Sequence, residues 1–228
     1  MKIEEKDLLR LISLIEQELL STLELEGTDS NDPVRVHHIP KDWKLLGAGN
    51  YAAVLYHSDY ESMAVKVYAP GREGWENERE VYRRLGDHPA YSACHHSAQS
   101  KGASYLILRR LRGKTLYQCL MEGKPIPPGV IQDIDEALEY ARKRGLNPHD
   151  VHGKNTMVSG EGKGLVVDIS DFLKDEPCSM WHDLKKAYDR VYTPFLSKNP
   201  VPIPEWMMNS IRKGYRWTKS FSRGSRQS

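Results

Sequence analysis

The sequence predicts an α+β fold in which a strand-rich stretch is followed by a helical one. Runs of strand-forming residues extend from about Arg35 to Leu111, and one helical segment interrupts them. Beyond Gly113 the apolar residues recur with helical spacing. A chain of 228 residues with a hydrophobic content of 39% can bury a real core. It could do so as one compact domain of two lobes or as two small domains.

The first predicted element is an amphipathic helix over about residues 2–26. Its apolar side chains form one stripe, made of Leu8, Leu11, Ile12, Ile15, Leu19 and Leu23. The run from Gly27 to Pro33 then breaks the helix and is typical of a linker. We expect this helix to be structural or regulatory, with its stripe packed on the strand-rich part or on another chain.

A glycine loop is predicted between the next two strands. The apolar pair Leu45-Leu46 leads into Gly47-Ala48-Gly49, and Val54 follows five residues later. Glycines let backbone N–H groups approach phosphates that a Cβ atom would block. Taken alone, such a loop is more often an ordinary hairpin turn than a nucleotide clamp.

A third strand, Met63–Tyr68, carries Lys66 in the middle of an apolar run. A lysine there is costly to bury unless an anion meets it, although a solvent-facing lysine is the simpler interpretation without context. The following helix, from Trp75 to Leu85, offers Glu78 as a partner. Glu78 shares a helix face with three apolar residues, which are Val81, Tyr82 and Leu85. We therefore expect Glu78 to point inward toward Lys66.

The run from Asn147 to Asn155 carries the most informative spacing of the chain. Asp150 is followed five residues later by Asn155, and Asp168 lies beyond an apolar stretch. In phosphoryl transfer such an aspartate orients the attacking hydroxyl, while the asparagine and second aspartate hold Mg²⁺ on the nucleotide phosphates. The pattern is weak alone, but it follows the glycine loop, lysine and glutamate in the order that this chemistry needs. A helix opened by Pro127-Pro128 leads to this run, and a hairpin joins Asn155 to Asp168.

From about Trp43 to Leu196 the chain resembles the protein kinases. Among them it is most similar to small atypical bacterial serine/threonine kinases, with features of Rio-like and lipopolysaccharide-kinase-like enzymes. The resemblance implies a bilobal fold with a small β-rich N-lobe and a helical C-lobe. It also implies that ATP, with Mg²⁺ or Mn²⁺, binds in the cleft between the lobes and donates its γ-phosphate to a hydroxyl.

The resemblance also assigns roles to individual residues. The catalytic group is Asp150, Lys66 and Glu78, the metal ligands are Asn155 and Asp168, and His152, Lys154 and Asp183 have supporting roles. Leu108 borders the adenine pocket, the segment from Arg109 to Leu111 is the hinge, and Val54 and Met157 enclose the ring. The full ATP-binding set is Gly47, Ala48, Gly49, Val54, Ala64, Lys66, Leu108, Arg109, Leu111 and Met157.

Several positions depart from the protein-kinase pattern. Ala52 replaces the third glycine of the loop, and Pro148-His149-Asp150 stands where many kinases have His-Arg-Asp. His152 takes the place of the usual lysine, as in aminoglycoside-phosphotransferase-like enzymes, and Lys154 offers a substitute charge. The metal-binding triplet is Asp168-Ile169-Ser170 instead of Asp-Phe-Gly. The indispensable carboxylate is nevertheless present.

The segment after Asp168 is short, since 14 residues separate Asp168 from Asp183. Asp183 resembles the buried aspartate that braces the catalytic loop, and no Ala-Pro-Glu motif or evident peptide-docking platform precedes it. The acceptor is therefore left open between a serine or threonine of a protein and a small-molecule hydroxyl. A nucleotide-binding pseudokinase or ATPase-like regulatory module is the alternative function.

The predicted organisation is a helix and linker (1–34), an N-lobe with hinge (35–111), a C-lobe (112–217) and a basic flexible tail (218–228). Residues 209–228 contain six basic residues and no acidic one, whereas residues 1–32 contain nine acidic and three basic residues. The tail could contact RNA or protein, or simply be solvated. Three widely spaced cysteines, no signal-peptide pattern and no bilayer-spanning run favour a cytoplasmic protein without a membrane contact.

Overall fold

A computed structural model describes residues 3–27 and 32–224, with side chains described as far as Gly214. The helices in chain order are α1 (Glu5–Leu14), α2 (Leu20–Thr22), α3 (Trp75–Leu85), α4 (Leu116–Glu122), α5 (Pro128–Lys143), α6 (Met180–Ala187), α7 (Thr193–Phe195) and α8 (Glu205–Gly224). π-Helical turns join α1 to α2 and α6 to α7, at Ile15–Leu19 and Tyr188–Tyr192, and Ser58–Tyr60 forms a 3₁₀ turn. No helix in the described part is both long and apolar enough to cross a bilayer.

In the described part of the chain, the strands form three antiparallel sheets. They are β1 (Glu24–Glu26), β2 (Arg35–His37), β3 (Trp43–Ala48), β4 (Ala52–His57), β5 (Met63–Tyr68), β6 (Cys94–Ser100), β7 (Ala103–Arg109), β8 (Gly113–Thr115), β9 (Thr156–Ser159) and β10 (Gly164–Val166). The largest sheet has five strands in the order β3-β4-β5-β7-β6, and a second sheet has the order β10-β9-β8. The two short strands β1 and β2 pair with each other. The predicted strand-rich stretch with one helical interruption is thus confirmed.

The five-stranded sheet separates two buried clusters because side chains alternate between its faces. On β5, Val65 and Val67 pack in one cluster with Leu11, Ile15 and Leu19 of the N-terminal helix. That cluster confirms that the apolar stripe of this helix packs on the strand-rich part. The opposite face, which carries Ala64 and Tyr68 of β5, belongs to a cluster that continues into α5 and α6. Lys66 has the same parity as Ala64 and Tyr68 and therefore faces this second cluster.

The helical part is attached to the sheet by short polar contacts. Tyr91 pairs with Val166 of β10 in an isolated parallel bridge, and its hydroxyl donates to the carbonyl of Ala137 at 2.7 Å. Gly113 opens β8 where a Cβ atom would lie 2.2 Å from the carbonyl oxygen of Val158, so only glycine permits this approach. The hairpin predicted between Asn155 and Asp168 is confirmed as β9 and β10, with residues 156–158 paired to 164–166.

Two sequence predictions about the ends of the chain need correction. The N-terminal helix stops at Thr22 rather than near Glu26, because Glu24–Glu26 pairs as a strand with Arg35–His37. At the other end α8 extends through Gly224, so residues 218–224 are helical instead of a flexible tail. Residues 28–31 of the predicted linker and residues 225–228 of the predicted tail lie outside the described residues.

Candidate active site

A buried ion pair between β5 and α3 forms the centre of the candidate site. Lys66 Nζ lies 2.6 Å from Glu78 Oε2, with 14% of the Lys66 side chain and 2% of the Glu78 side chain exposed. The predicted inward direction of Glu78 is therefore confirmed. Burial alone would lower the pKa of Lys66, but the carboxylates of Glu78 and Asp168 raise it above its ordinary value. Lys66 consequently stays charged and can meet an anion.

Tyr68 adds a second donor to the same carboxylate. Its hydroxyl donates to Glu78 Oε2 at 2.5 Å, and Lys66 Nζ lies 5.7 Å from the centroid of the tyrosine ring. The sequence analysis missed this residue. The available signal was its position two residues after Lys66, which places both side chains on one face of the strand.

Helix α3, which presents Glu78, is fixed at its C-terminal end by the helical part of the molecule. The Tyr140 hydroxyl donates to the carbonyl of Leu85 at 2.7 Å, and Arg84 Nη1 donates to the carbonyl of Gly145 at 3.0 Å. Near its first turn, Trp75 Nε1 donates to the carbonyl of Tyr105 at 3.2 Å. The depth at which Glu78 enters the site therefore depends on contacts with both the sheet and α5.

Asp150 lies in the loop between α5 and β9 with a left-handed backbone, at φ 56°. Asn155 Nδ2 donates to the Asp150 carbonyl at 3.1 Å and lies 3.4 Å from Asp150 Oδ2, which joins the two ends of the predicted motif. Burial raises the pKa of Asp150 above its ordinary value, although the nearby His152 acts in the opposite direction. His152 Nε2 is 3.7 Å from Asp150 Oδ2. Its Nδ1 accepts the N–H of Lys154 at 3.2 Å, which leaves Nε2 as the ring nitrogen that can donate toward Asp150.

Asp168 follows β10 at the far end of the same hairpin, where Val167 N donates to the Asn155 carbonyl at 3.0 Å. The backbone N–H and the hydroxyl of Ser170 donate to Asp168 Oδ1 at 3.2 and 2.9 Å. Burial would raise the pKa of Asp168, but the Lys66 ammonium and these two hydrogen bonds hold it below its ordinary value. Asp168 is therefore ionised at neutral pH. Ser170 is a second residue whose contribution the sequence analysis missed.

The glycine loop is the hairpin between β3 and β4, with Gly49 N donating to the Ala52 carbonyl at 2.9 Å. A Cβ atom built on Gly47 or on Gly49 would meet no atom within 4 Å. Neither glycine has a positive φ. Within the described residues, neither a contact nor a positive φ explains why these positions are glycine.

The predicted hinge follows the end of β7. Leu108 is buried beside Ala64, its partner on β5, and Val54 packs against the same cluster. The backbone N–H of Arg109 donates to the Ala93 carbonyl at 2.8 Å, and the Arg109 carbonyl accepts the Ser92 hydroxyl at 2.7 Å. Arg109 thus has both backbone groups engaged within the protein.

The next two hinge residues differ in the hydrogen bonding of their backbone groups. Arg110 N–H donates to the Ser62 carbonyl at 2.8 Å, whereas the N–H and carbonyl of Leu111 bond to no residue in the described ranges. Met157 is half-buried on β9, between Thr115 on β8 and Leu165 on β10.

A cleft of about 260 Å³ opens beside the ion pair. Its walls come from the glycine loop, from helix α3 and from the segment after Asp168, and include Tyr51, Tyr68, Asn77, Glu78, Asp171 and Lys174. Leu108, Leu111 and Met157 do not line it. Lys66, Asp150, Asn155 and Asp168 do not line it either, so this cleft lies beside the ion pair and not at the predicted adenine pocket.

One of the supporting residues, Asp183, is not placed as predicted. Asp183 is partly exposed and accepts the Ser179 hydroxyl at 3.0 Å, so the expectation of a buried aspartate on α6 is wrong. Lys154 is exposed, with its ammonium 4.6 Å from the centroid of the Tyr117 ring. Among the described residues, Lys154 forms no ion pair with Asp150 or Asp168.

Other residues that the sequence analysis missed hold the site together. Asn147 Nδ2 donates to the carbonyls of Lys174 and Glu176 at 2.7 and 3.1 Å, which ties the segment after Asp168 to the start of the loop that carries Asp150. Asp135 of α5 accepts Trp181 Nε1 at 2.7 Å and Lys185 Nζ at 2.7 Å, which anchors α6. A single sequence gives little warning of such contacts, because their partners lie tens of residues away.

Comparison with known proteins finds relatives that are named as kinases. The chain is 31% identical over 170 residues to "Putative serine/threonine-protein kinase YrzF" of Bacillus subtilis, a match that covers 74% of this chain and 77% of the relative. It is 24% identical over 140 residues to CBL-interacting serine/threonine-protein kinase 16 of Arabidopsis thaliana. It is 29% identical over 125 residues to the sperm motility kinase Tcr mutant form of Mus musculus.

The Arabidopsis and mouse matches cover 55% and 50% of this chain but only 30% and 25% of those proteins. No protein-family model matches the chain. The bacterial relative, by contrast, is matched over most of both chains and carries a kinase name. Together with the order of the site elements, this match shows that the chain belongs to the protein-kinase-like family.

Proposed function

We propose that this protein is an ATP- and Mg²⁺-dependent phosphotransferase that works between two lobes. The observation that carries the proposal is the buried pair of Lys66 and Glu78, at 2.6 Å, in the field of Asp168. Asp150 and Asn155 lie on the adjoining loop. A lysine held by a glutamate and facing a metal-binding carboxylate is the arrangement with which kinases position nucleotide phosphates.

The glycine loop supports the phosphate side of this proposal. Among the described residues, nothing within 4 Å of the two positions and no positive φ requires Gly47 or Gly49 to lack a Cβ atom. Backbone N–H groups that cradle phosphates do supply such a reason, because a side chain would keep the ligand away. Lys66 would then neutralise the α- and β-phosphates beneath this loop.

The residues present fit a magnesium ion. Mg²⁺ keeps several water ligands and usually takes one or two carboxylates together with substrate phosphates. No group of three or more histidine, cysteine, aspartate or glutamate side chains in the described ranges could hold a metal by itself. Asp168 is ionised, and Asn155 uses its Nδ2 toward Asp150, which leaves Oδ1 to serve as a ligand. Held by Asp168 and Asn155, the ion would neutralise negative charge on the nucleotide phosphates.

Asp150 is the group we assign to the acceptor hydroxyl. A carboxylate whose pKa is raised by burial is a better proton acceptor than a solvated one. It would orient the hydroxyl and take its proton as the phosphoryl group is transferred. The Nε2–H of His152, 3.7 Å from Asp150 Oδ2, would help to fix the direction of the carboxylate.

The base of ATP would lie against Leu108, Ala64, Val54 and Met157. Of the hinge residues, Leu111 has backbone groups that bond to no other described residue, whereas those of Arg109 are engaged with Ala93 and Ser92. Adenine would therefore pair with the backbone of Leu111. Of the segment from Arg109 to Leu111 that the sequence indicated as the hinge, we thus assign the adenine contact to Leu111.

For the acceptor we propose a serine or threonine hydroxyl, because the relatives are named as serine/threonine-protein kinases. The short segment after Asp168, tied down by Asn147, is the feature that suggests a compact atypical kinase of the Rio-like kind. A small-molecule acceptor would require the same groups around Asp150 and Asp168.

Isothermal calorimetry of MgATP binding tests the proposal. We expect binding by the full chain with Mg²⁺, a marked loss without divalent metal, and a similar loss in Asp168→Asn. Asp189→Asn, an exposed aspartate outside the site, serves as the control and should bind as the wild type does. Binding of ATP that is equal with and without metal, or equal in Asp168→Asn, would contradict the metal assignment. Phosphoamino-acid analysis of the labelled product would then identify the acceptor hydroxyl.

A further inference from the structure

We propose that Tyr68 is a positioning residue that holds the Glu78 carboxylate in the cleft independently of Lys66. Lys66 is thereby able to turn toward the nucleotide phosphates without leaving a buried carboxylate unpartnered. The part of this inference that concerns nucleotide rests on the function proposed above. The anchoring itself is a property of the protein without nucleotide.

The two donors converge on one oxygen. Glu78 Oε2 receives the Tyr68 hydroxyl at 2.5 Å and the Lys66 ammonium at 2.6 Å. Glu78 is 2% exposed, so solvent cannot replace a lost donor. If Lys66 were its sole partner, each movement of the ammonium toward a phosphate would weaken the bond that keeps Glu78 in place.

Tyr68 is well placed to act as a fixed donor. It is 3% exposed, and its backbone is paired with Ala52 across the β4–β5 ladder. Burial and the neighbouring Glu78 raise the pKa of Tyr68, so the hydroxyl keeps its proton. Being neutral, it is not drawn to phosphate as strongly as an ammonium is. Its ring also lines the cleft of about 260 Å³ beside Glu78.

The first test compares Tyr68→Phe with a matched control. Tyr91→Phe also removes one buried hydroxyl, which donates to the Ala137 carbonyl at 2.7 Å away from the cleft. Both variants should unfold at lower temperature. Only Tyr68→Phe should raise the dissociation constant of MgATP, by about tenfold, the scale of losing one hydrogen bond to a charged group. Unchanged affinity in Tyr68→Phe, or an equal loss in both variants, would overturn the positioning role.

The second test needs no nucleotide. The urea midpoint of unfolding is measured for Tyr68→Phe in the wild type, in Lys66→Met and in Glu78→Gln. Because Tyr68 is the remaining donor once Lys66 is gone, its loss should lower the midpoint more in Lys66→Met than in the wild type. In Glu78→Gln, where the Tyr68 hydroxyl would face a neutral amide instead of a carboxylate, the loss should be smaller.

If Tyr68→Phe lowers the urea midpoint equally in the wild type, in Lys66→Met and in Glu78→Gln, the proposal that Tyr68 anchors Glu78 is overturned. If Lys66→Met does not fold, the Glu78→Gln comparison decides alone. Failure of the wild type to bind MgATP would contradict the proposed function only, and the urea comparison would still decide whether Tyr68 anchors Glu78.

Discussion

Replacing Lys66 by methionine is expected to lower the free energy of unfolding by about 3 kcal/mol. Removing one partner of a buried ion pair costs about 3–5 kcal/mol, because the other charge is left in a low-dielectric environment. The lower end applies here because Tyr68 continues to donate to Glu78 at 2.5 Å. The pair qualifies as buried, since the Lys66 and Glu78 side chains are 14% and 2% exposed.

A second ion pair on α3 supplies the control. Arg83 contacts Glu80 at 2.6 Å, the same separation as in the buried pair, but its side chain is 72% exposed. Water replaces the lost interaction at such a site, so Arg83→Met should leave the stability nearly unchanged. Because the two ion pairs have the same separation, a larger loss of stability in Lys66→Met than in Arg83→Met would come from the burial of the Lys66–Glu78 pair.

Urea denaturation at neutral pH, followed by tryptophan fluorescence, measures both variants. Adding Glu78→Gln to Lys66→Met should recover part of the lost stability, because residue 78 then no longer carries a buried charge that has lost its cation. Equal losses for Lys66→Met and Arg83→Met, or no recovery in the double variant, would refute the reasoning.

Four further outcomes are expected. Asp150→Asn should match or exceed the wild-type melting temperature, because the raised pKa of Asp150 means that its charge disfavours the fold at neutral pH. Asp150→Ala should cost about 1–2 kcal/mol more in a denaturation series, since Asp150 has φ 56° and alanine tolerates that conformation poorly. The pKa of Asp168 is lowered, so its charge stabilises the fold at pH values above its ordinary pKa. This stabilisation is lost as the pH falls through the lowered pKa. In an acid titration, Asp168→Asn should therefore lose less stability than the wild type. Ile15→Ala should destabilise the protein by about 2–5 kcal/mol in urea, because Ile15 is fully buried against the sheet.

The parts of the site that local periodicity controls could be predicted from the sequence. Strand alternation and helical spacing were enough to predict that Lys66 and Glu78 face each other, because both patterns depend on only a few neighbouring residues. The hairpin from Asn155 to Asp168 was predictable for the same reason. The stripe of the N-terminal helix likewise indicated its buried face.

What the sequence could not show depends on distant partners or on very short elements. The strand Glu24–Glu26 exists because Arg35–His37 lies beside it, and three residues give no reliable period. The contacts of Asn147 with Lys174 and Glu176 link segments of irregular backbone. The prediction that Asp183 is buried came from the resemblance to protein kinases and not from hydrophobic periodicity, and the partly exposed Asp183 contradicts it. These are cases in which tertiary contacts decide the outcome.

The central claim is that this site transfers the γ-phosphate of ATP with Asp150 as its acceptor-directed carboxylate. Its most direct test is radiolabel transfer from γ-labelled MgATP to the protein itself and to proteins of a cell extract, with wild type and Asp150→Asn compared at equal nucleotide occupancy. We predict transfer by the wild type and a rate about two to four orders of magnitude lower in the folded variant. Undiminished transfer by Asp150→Asn, or no transfer by a wild-type protein that binds MgATP, would contradict the account.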